Sequence, residues 1–566
     1  MRTYAPFYWV TDLSETFLNR DYLSPGETVQ SRLRDIASNA ERLLNKPGFA
    51  DKFYNNMSKG WYSLATPVWT NFGKPRGMPV SCFNSHITDD VGGILYAQGE
   101  VGMMSKIGGG TSGYFGDLRP AGSPITDNGV STGVPHFLEL FQSTTDVISQ
   151  GSARRGRMAP YLPIDHSDIS AFLDIGSDGN VIQHMNSAVV VDDYWMQAMI
   201  NGDKEKQSIW AKLLKRRREV GYPYLMFRDN ANKQAPDVYK DKGLIINSSN
   251  LCNEIYLSST EDESFTCILS SMNLLHYDEW KDTDAVETLI YFLDAVASEF
   301  IQKLEAFRDS PDRDKQLVWF YMQRAHRFTK NQRALGMGVL GYHSYLQSRM
   351  IPFESREAAK LNLEIFKLLR QKSHEASSKL AQEYGEPSFL KGYGRRNVTT
   401  MAIAPTTSSA FILGQVSQSI EPLFSNYYLK DLAKVKTVIK NKYLEELLED
   451  KELNTREIWD QIASDDGSVL GLPDTVLSPE EKSVFLTFSE INQETIIDQA
   501  ATRQPYIDQG QSLNLMVPEN ITAKELNALH IRAWQLGLKG LYYVHGTNAA
   551  QTLLRAKNRE CLACSS

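Results

Sequence analysis

The stretch SSNLCNEIYL sets an amide, a thiol and a carboxylate (Asn250, Cys252 and Glu254) at alternate positions. In a strand or a narrow loop, a spacing of two turns all three toward one side. Such a trio offers a hydrogen-bond donor, a nucleophilic or one-electron centre, and a general base. Two more cysteines sit in apolar, strand-like runs: Cys82 in GMPVSCFNSH and Cys267 in FTCILSSMNL. Taken alone, each internal cysteine reads as a small buried hydrophobe. The chain has five cysteines in 566 residues, and the remaining two, Cys561 and Cys564, stand in the terminal run RECLACSS. Thiols at an end expected to be frayed and exposed are a liability unless their reactivity is used. An odd, sparse set of cysteines is no disulfide scaffold and points to redox work in a reducing compartment.

A second feature suits an anion. APTTSSAFILG places Pro405, Thr406, Thr407, Ser408 and Ser409 where a strand turns into a helix. Hydroxyls and unpaired N–H groups at a helix start bind phosphate without a lysine. A basic, glycine-broken loop, SQGSARRGRMAPY, carries Arg154, Arg155 and Arg157 and suits a triphosphate or a solvated turn equally.

The elements that must hold these groups alternate strand and helix. SAVVVDDYWMQAMING reads as a β-branched strand entering a helix, and VTTMAIAPTTSSAFIL as strand, turn and helix. In SLNLMVPENITAKELNALHIRAWQLGLKGLYYVHG the order is strand, helix, strand, with Thr522 and Glu525 as a capping box. That alternation indicates an α/β architecture around a buried sheet. The first 61 residues form a short helical region, with Leu33, Ile36, Leu43 and Leu44 at helical spacing. The α/β pattern fills 62–550, interrupted by a charged helical insertion near 430–494, and 551–566 reads as a flexible tail.

Composition sets limits. Hydrophobic residues make up 42% and charged residues 23%, a globular balance. With 60 basic and 68 acidic residues and no block of like charge, the chain argues against a basic nucleic-acid surface, though not against a small phosphorylated ligand. The N-terminus has no signal-peptide core, and the most apolar run, TLIYFLDAVASEFI, is broken by Asp294 and Glu299. A soluble cytoplasmic protein without membrane or nucleic-acid partners is expected, in the host cytoplasm if the chain is viral. GMGVLG (336–341) satisfies a dinucleotide fingerprint, but the hydrophilic HRFTKNQRAL precedes it instead of a strand. Glycines permitting close helix packing are the preferred explanation. Scattered histidines and the lack of any zinc or calcium pattern argue against a metal in this chain.

Taken together, ATP, SC, GGGTSG, SNLCNEI, FTCILSSMNL, APTTSSA and GLYYVHG occur in the order of one family. The chain resembles the large, catalytic subunit of a class I ribonucleotide reductase over nearly its whole length. That resemblance implies a ten-stranded α/β barrel with a central finger loop. It implies reduction of ribonucleoside diphosphates to 2′-deoxyribonucleoside diphosphates, for DNA precursors. Cys252 would become a thiyl radical that removes the 3′ hydrogen, with Glu254 as base on the 3′ hydroxyl and Asn250 bonding the substrate. Cys82 and Cys267 would supply two electrons and end as a disulfide, Cys82 nearest the departing 2′ hydroxyl. Tyr542 and Tyr543 would relay the radical from a separate small subunit. Cys561 and Cys564 would re-reduce the internal disulfide and be reduced in turn by a thioredoxin or glutaredoxin-like protein. The diphosphate site would comprise Thr66, Ser81, Gly110 and the 405–409 run.

The family also implies a homodimer with a deoxynucleoside triphosphate or ATP as allosteric effector, read by Asp89, Arg154, Arg155 and Gln183. In relatives an arginine commonly stands where Gln183 does, so base readout is expected to differ. No cofactor is expected in this chain, the radical cofactor belonging to the partner subunit. The short helical front predicts no N-terminal ATP-cone and no activity switch of that kind. Two alternatives are an adenosylcobalamin-dependent reductase, needing no tyrosine relay, and a non-catalytic nucleotide-binding barrel.

Overall fold

The computed structural model describes residues 4–150, 155–432 and 435–546. Strand β1 (Tyr62–Leu64) is followed by five strands that lie parallel, each beside the next in chain order. These are β2 (Cys82–His86), β3 (Gly110–Tyr114), β4 (Met158–Pro163), β5 (Ala188–Val191) and β6 (Tyr224–Phe227). The connections through helices make parallel pairing possible and cover the outer face. Strand β7 (Thr266–Asn273) runs antiparallel to both β1 and β2, and β8 (Leu335–Leu340) runs parallel to β7. The antiparallel hairpin β9 (Tyr427–Leu432) and β10 (Val435–Lys440) follows. Strand β11 (Leu515–Val517) pairs in parallel with β13 (Val544–Gly546), while β12 (Gly540–Leu541) pairs antiparallel with β6.

This is a mixed α/β barrel, but not one of ten regular strands. Among the described residues the main sheet has nine strands. The stretch near 401–403 joins it only through isolated bridges, Met337 to Met401 and Ile403 to Gln511. Thr406, at φ 54°, and Pro405 turn the chain away too soon for a longer ladder.

Three helices, Asp12–Asp21, Val29–Leu44 and Phe49–Ser58, form the front. Leu33, Ile36 and Leu44 are buried in the same apolar core as the barrel strands. The insertion differs from its expected helical character, because it opens with the β9–β10 hairpin. The β-branched residues of VKTVIK favour a ladder over a helix. The helices after it, Lys442–Asp450, Arg456–Ser464 and Pro479–Val484, bury Leu444, Trp459, Ile462 and Phe485 in a separate small core. The glycines of GMGVLG, expected to permit close helix packing, instead lie in a strand: the run is most of β8, with Gly341 just past the strand end. A Cβ on Gly336 would stand 2.5 Å from Leu269 Cδ2 and 2.9 Å from Cys267 Sγ. Its missing side chain therefore makes room inside the barrel for a cysteine.

Candidate active site

Cys252 lies on a finger without regular secondary structure, and Asn250, Asn253 and Glu254 beside it are fully or almost fully buried. A strand would use its backbone groups in a ladder; here side chains satisfy them. Asn250 Oδ1 accepts from the N–H groups of Glu254 (2.9 Å) and Ile255 (3.1 Å), folding the segment into a turn. Asn253 sits at φ 61°, a left-handed conformation that asparagine tolerates better than most residues. Its amide donates to the carbonyls of Leu225 (3.0 Å) and Leu541 (3.1 Å), on β6 and β12. Its Oδ1 accepts from the hydroxyls of Tyr161 and Tyr256, both at 3.2 Å. Asn253 thus staples the finger tip to the wall, a role the spacing of SNLCNEI does not reveal.

Glu254 is 1% exposed, and burial pushes its carboxyl up to about 7. The Ser512 hydroxyl reaches both Glu254 Oε2 (3.0 Å) and the Cys252 carbonyl (2.6 Å). Ser512 lies 258 residues away in sequence, and nothing local marks it.

Cys82 and Cys267 are direct cross-strand partners on β2 and β7. Opposed residues of an antiparallel pair have Cα atoms about 4.5–5.5 Å apart. That separation falls within the span a disulfide bridges. Neither is in a disulfide, nor is Cys252. The Asn250 amide donates to Cys82 Sγ at 3.2 Å. Burial pushes the Cys267 thiol far up, and the Gln509 amide donates to its sulfur at 3.3 Å. Gln509 also holds the N–H of Tyr256 (3.1 Å), so one side chain links the dithiol to the finger.

One cavity is lined by Cys82, Cys252, Glu254, Ser63, Ser81, Ser270, Ser271, Pro405, Thr406 and Ser409, among others. The hydroxyls of Ser63 and Ser81 are buried there without a hydrogen-bond partner among the described residues. Orphaned buried hydroxyls facing a cavity are what a polar ligand would satisfy. Thr406 is the N-cap of the helix Thr407–Ile412, and its side chain does not cap it. Its hydroxyl oxygen instead accepts from Ser419 N–H at 2.7 Å. The first N–H groups of that helix are therefore left without a side-chain cap at the cavity wall.

Not every expected phosphate residue is brought there. Thr66 is tied to the Tyr22 hydroxyl at 2.9 Å, and Thr407 bonds Gln418 at 3.1 Å. Ser408 is buried but does not line the cavity. Gly110 allows a close approach, but to the finger: a Cβ there would stand 3.1 Å from Leu251 Cδ2.

Tyr542 and Tyr543 stand between β12 and β13 with ring centroids 4.5 Å apart. Burial raises both phenols, and Tyr542 interacts electrostatically with the Cys252 thiol and Tyr543 with Tyr542. Phenol, phenol and thiol thus form one run of neighbouring groups leading into the cavity. A third buried tyrosine, Tyr224, packs 4.5 Å from Tyr542 and 5.0 Å from Tyr543.

The expected effector residues are not part of this cavity. Asp89 holds Arg119 through Nε at 2.7 Å and through its backbone N–H at 3.1 Å. Gln183 is exposed, and its amide closes its own loop on the carbonyls of Ser177 (2.8 Å) and Asn180 (2.7 Å). Arg155 is exposed; Arg154, Cys561 and Cys564 lie outside the described residues. Among the described residues no helix is long and apolar enough to cross a membrane.

A barrel with a buried finger thiol, a facing cross-strand dithiol and a phenol run leading inward defines the catalytic core of a ribonucleotide reductase. The family model for the ribonucleotide reductase barrel domain matches residues 80–207, 203–390 and 387–544, and that for the all-alpha domain matches 8–77. A Frog virus 3 protein is 35% identical over 99% of this chain and 100% of its own length. The ribonucleoside-diphosphate reductase large subunit of Invertebrate iridescent virus 3 is 30% identical, covering 94% of this chain and 92% of its own. The Actinobacillus ureae class Id ribonucleotide reductase alpha subunit superposes with a TM-score of 0.90 at 52% identity, over 97% of this chain and 99% of that one. The chain belongs to the class I ribonucleotide reductase large-subunit family. These relatives support that reading over the cobalamin-dependent and non-catalytic alternatives.

Proposed function

We propose that this chain reduces ribonucleoside diphosphates to 2′-deoxyribonucleoside diphosphates, using a radical supplied by a separate small subunit. The observation that carries the reading is the contiguous run Tyr543–Tyr542–Cys252, ending in a cavity lined by Cys82, whose cross-strand partner is Cys267. As the radical moves inward, hydrogen passes from Cys252 to Tyr542 and from Tyr542 to Tyr543. The Cys252 thiyl removes the 3′ hydrogen, and Glu254, poised near neutrality, takes the 3′ hydroxyl proton. The 2′ hydroxyl leaves as water with a proton from Cys82. Cys82 and Cys267 give up two electrons to form a disulfide, the second thiol hydrogen ending on the 2′ carbon; Glu254 returns its proton to the 3′ oxygen, and Cys252 returns its hydrogen to the 3′ carbon.

The uncapped start of Thr407–Ile412, with Ser81, Thr406 and Ser409, suits the diphosphate. Thr66, Gly110, Thr407 and Ser408, expected there from the family, do not line that cavity. Cys561 and Cys564 shuttle electrons from a thioredoxin or glutaredoxin-like protein to the internal disulfide. A deoxynucleoside triphosphate or ATP near Asp89, Arg154, Arg155 and Gln183 of a homodimer selects the base, in the cytoplasm of the cell concerned. No cofactor of this chain enters the scheme. The deciding test is Cys252→Ser, assayed for deoxynucleotide formation with a small radical-generating subunit. We expect no product; sustained product formation would overturn the mechanism.

A further inference from the structure

We propose that Asn186 is a positioning residue for the tyrosine relay, tying the loop 176–186 to Tyr543 so that movement of the loop retunes radical transfer. The proposal rests on the relay reading above. The Asn186 amide donates to the Tyr543 hydroxyl at 2.6 Å and to the Tyr224 hydroxyl at 2.9 Å. An amide has two N–H donors and no titration of its own, and a phenol oxygen has two lone pairs and one hydrogen. Asn186 thus fills a lone pair on each phenol and leaves the phenolic hydrogens for the run toward Cys252.

The same arm of the loop, just before Asn186, is anchored to a helix. Gln142, on the helix Val134–Val147, accepts from the backbone N–H groups of Gln183 (2.7 Å) and His184 (2.9 Å). Asp146 of the same helix bonds His184 Nδ1 at 2.8 Å. Within the loop, Gly176 N–H donates to the Ile182 carbonyl at 2.8 Å, so it moves as one closed unit. Its first residue also abuts the relay's surroundings: a Cβ on Gly176 would stand 2.5 Å from the Tyr222 hydroxyl. Tyr543 itself packs on Gly221, where a Cβ would be 3.1 Å from its ring. A displacement of the 134–147 helix is therefore passed by this loop to the phenol oxygen of Tyr543.

The chemistry gives the contact a direction. When the radical enters, Tyr543 yields its electron to the small subunit's oxidant and its phenolic proton to water at its partly exposed edge. An N–H still donating to that oxygen stabilises the oxygen-centred product. Loss of the donor makes Tyr543 harder to oxidise.

The test uses the full chain with 3-nitrotyrosine at position 543, titrated by absorbance, and the unlabelled holoenzyme for turnover. For Asn186→Leu, with Asn186→Ser as a second variant, we expect the nitrophenol pKa to rise by about one unit. We expect kcat to fall about tenfold while KM for the diphosphate stays within about twofold. Addition of dTTP is expected to shift the nitrophenol pKa when Asn186 is present and not when it is replaced. An unchanged pKa and kcat in both variants, or a dTTP response that is absent throughout or persists without Asn186, overturns the proposal. Tyr543→Phe is the control: full activity in that variant means the relay reading itself has failed, a result distinct from a failure of Asn186 alone.

Discussion

Replacing Ser512 with alanine should move the pH profile of catalysis by an amount the geometry sets. Burial already holds the Glu254 carboxyl at about 7, and the Ser512 hydroxyl at 3.0 Å opposes that rise. A hydrogen bond to a charged group contributes about 1.5–3 kcal/mol. The single Ser512 hydrogen is shared with the Cys252 carbonyl at 2.6 Å, so the lower end applies. About 1.5 kcal/mol corresponds to about one pKa unit, which takes Glu254 to roughly 8. The base works only when ionised, so activity rises with pH through this value. At pH 7 the ionised fraction drops from about a half to about a tenth, and the rate falls about fivefold. The assay is single-turnover deoxynucleotide formation from pre-reduced enzyme between about pH 6 and 9.5, with a 3′-deuterated substrate to confirm that hydrogen abstraction limits the rate. Activity should recover at the alkaline end, and Ser512→Thr, which keeps the hydroxyl, should restore the original profile. An unshifted limb, or a shift to lower pH, would refute the assignment of Glu254 as the base.

Three further outcomes are expected. Gly336→Ala places a methyl 2.5 Å from Leu269 Cδ2 and 2.9 Å from Cys267 Sγ, and should destabilise the fold by about 1–3 kcal/mol; an unchanged melting temperature would count against close packing there. Asp294→Asn removes the charge that meets Arg333 (2.7 Å), Arg396 (2.9 Å) and the Asn397 amide (3.0 Å), at a cost of about 3–5 kcal/mol near pH 7. Asp294 is held below its ordinary value by the two guanidiniums despite its burial. Its contribution is therefore complete above about pH 4 and lost as pH falls through the depressed value, so wild-type and variant urea midpoints should converge in acid. Midpoints separated equally at both pH values would exclude this account. Changing Cys561 and Cys564 together to serine should abolish turnover with thioredoxin yet leave one turnover from pre-reduced enzyme; full thioredoxin-driven activity would end the shuttle reading.

The sequence determined the chemistry-bearing residues because their types are rare and their contexts distinct. Two thiols in apolar runs, a third between an amide and a carboxylate, and paired tyrosines before VHG are visible in one dimension, and so is the capping box at Thr522 and Glu525, found as expected. Strand–helix alternation likewise gives an α/β architecture around a buried sheet, since period and β-branching are local properties; the barrel came from the family resemblance. Misreadings arose where tertiary context outweighs local pattern. VKTVIK lies in a charged stretch yet pairs as a hairpin, and the glycines of GMGVLG serve a barrel strand rather than helix contacts. Only the folded chain decided that Cys82 lies directly opposite Cys267, because strand register depends on pairing between segments 185 residues apart (267 minus 82). Ser512, Gln509, Asn253 and Asn186 were illegible for the same reason. Each is an ordinary polar residue whose importance comes from the distant groups it touches, and those contacts exist only once the barrel has closed around the finger.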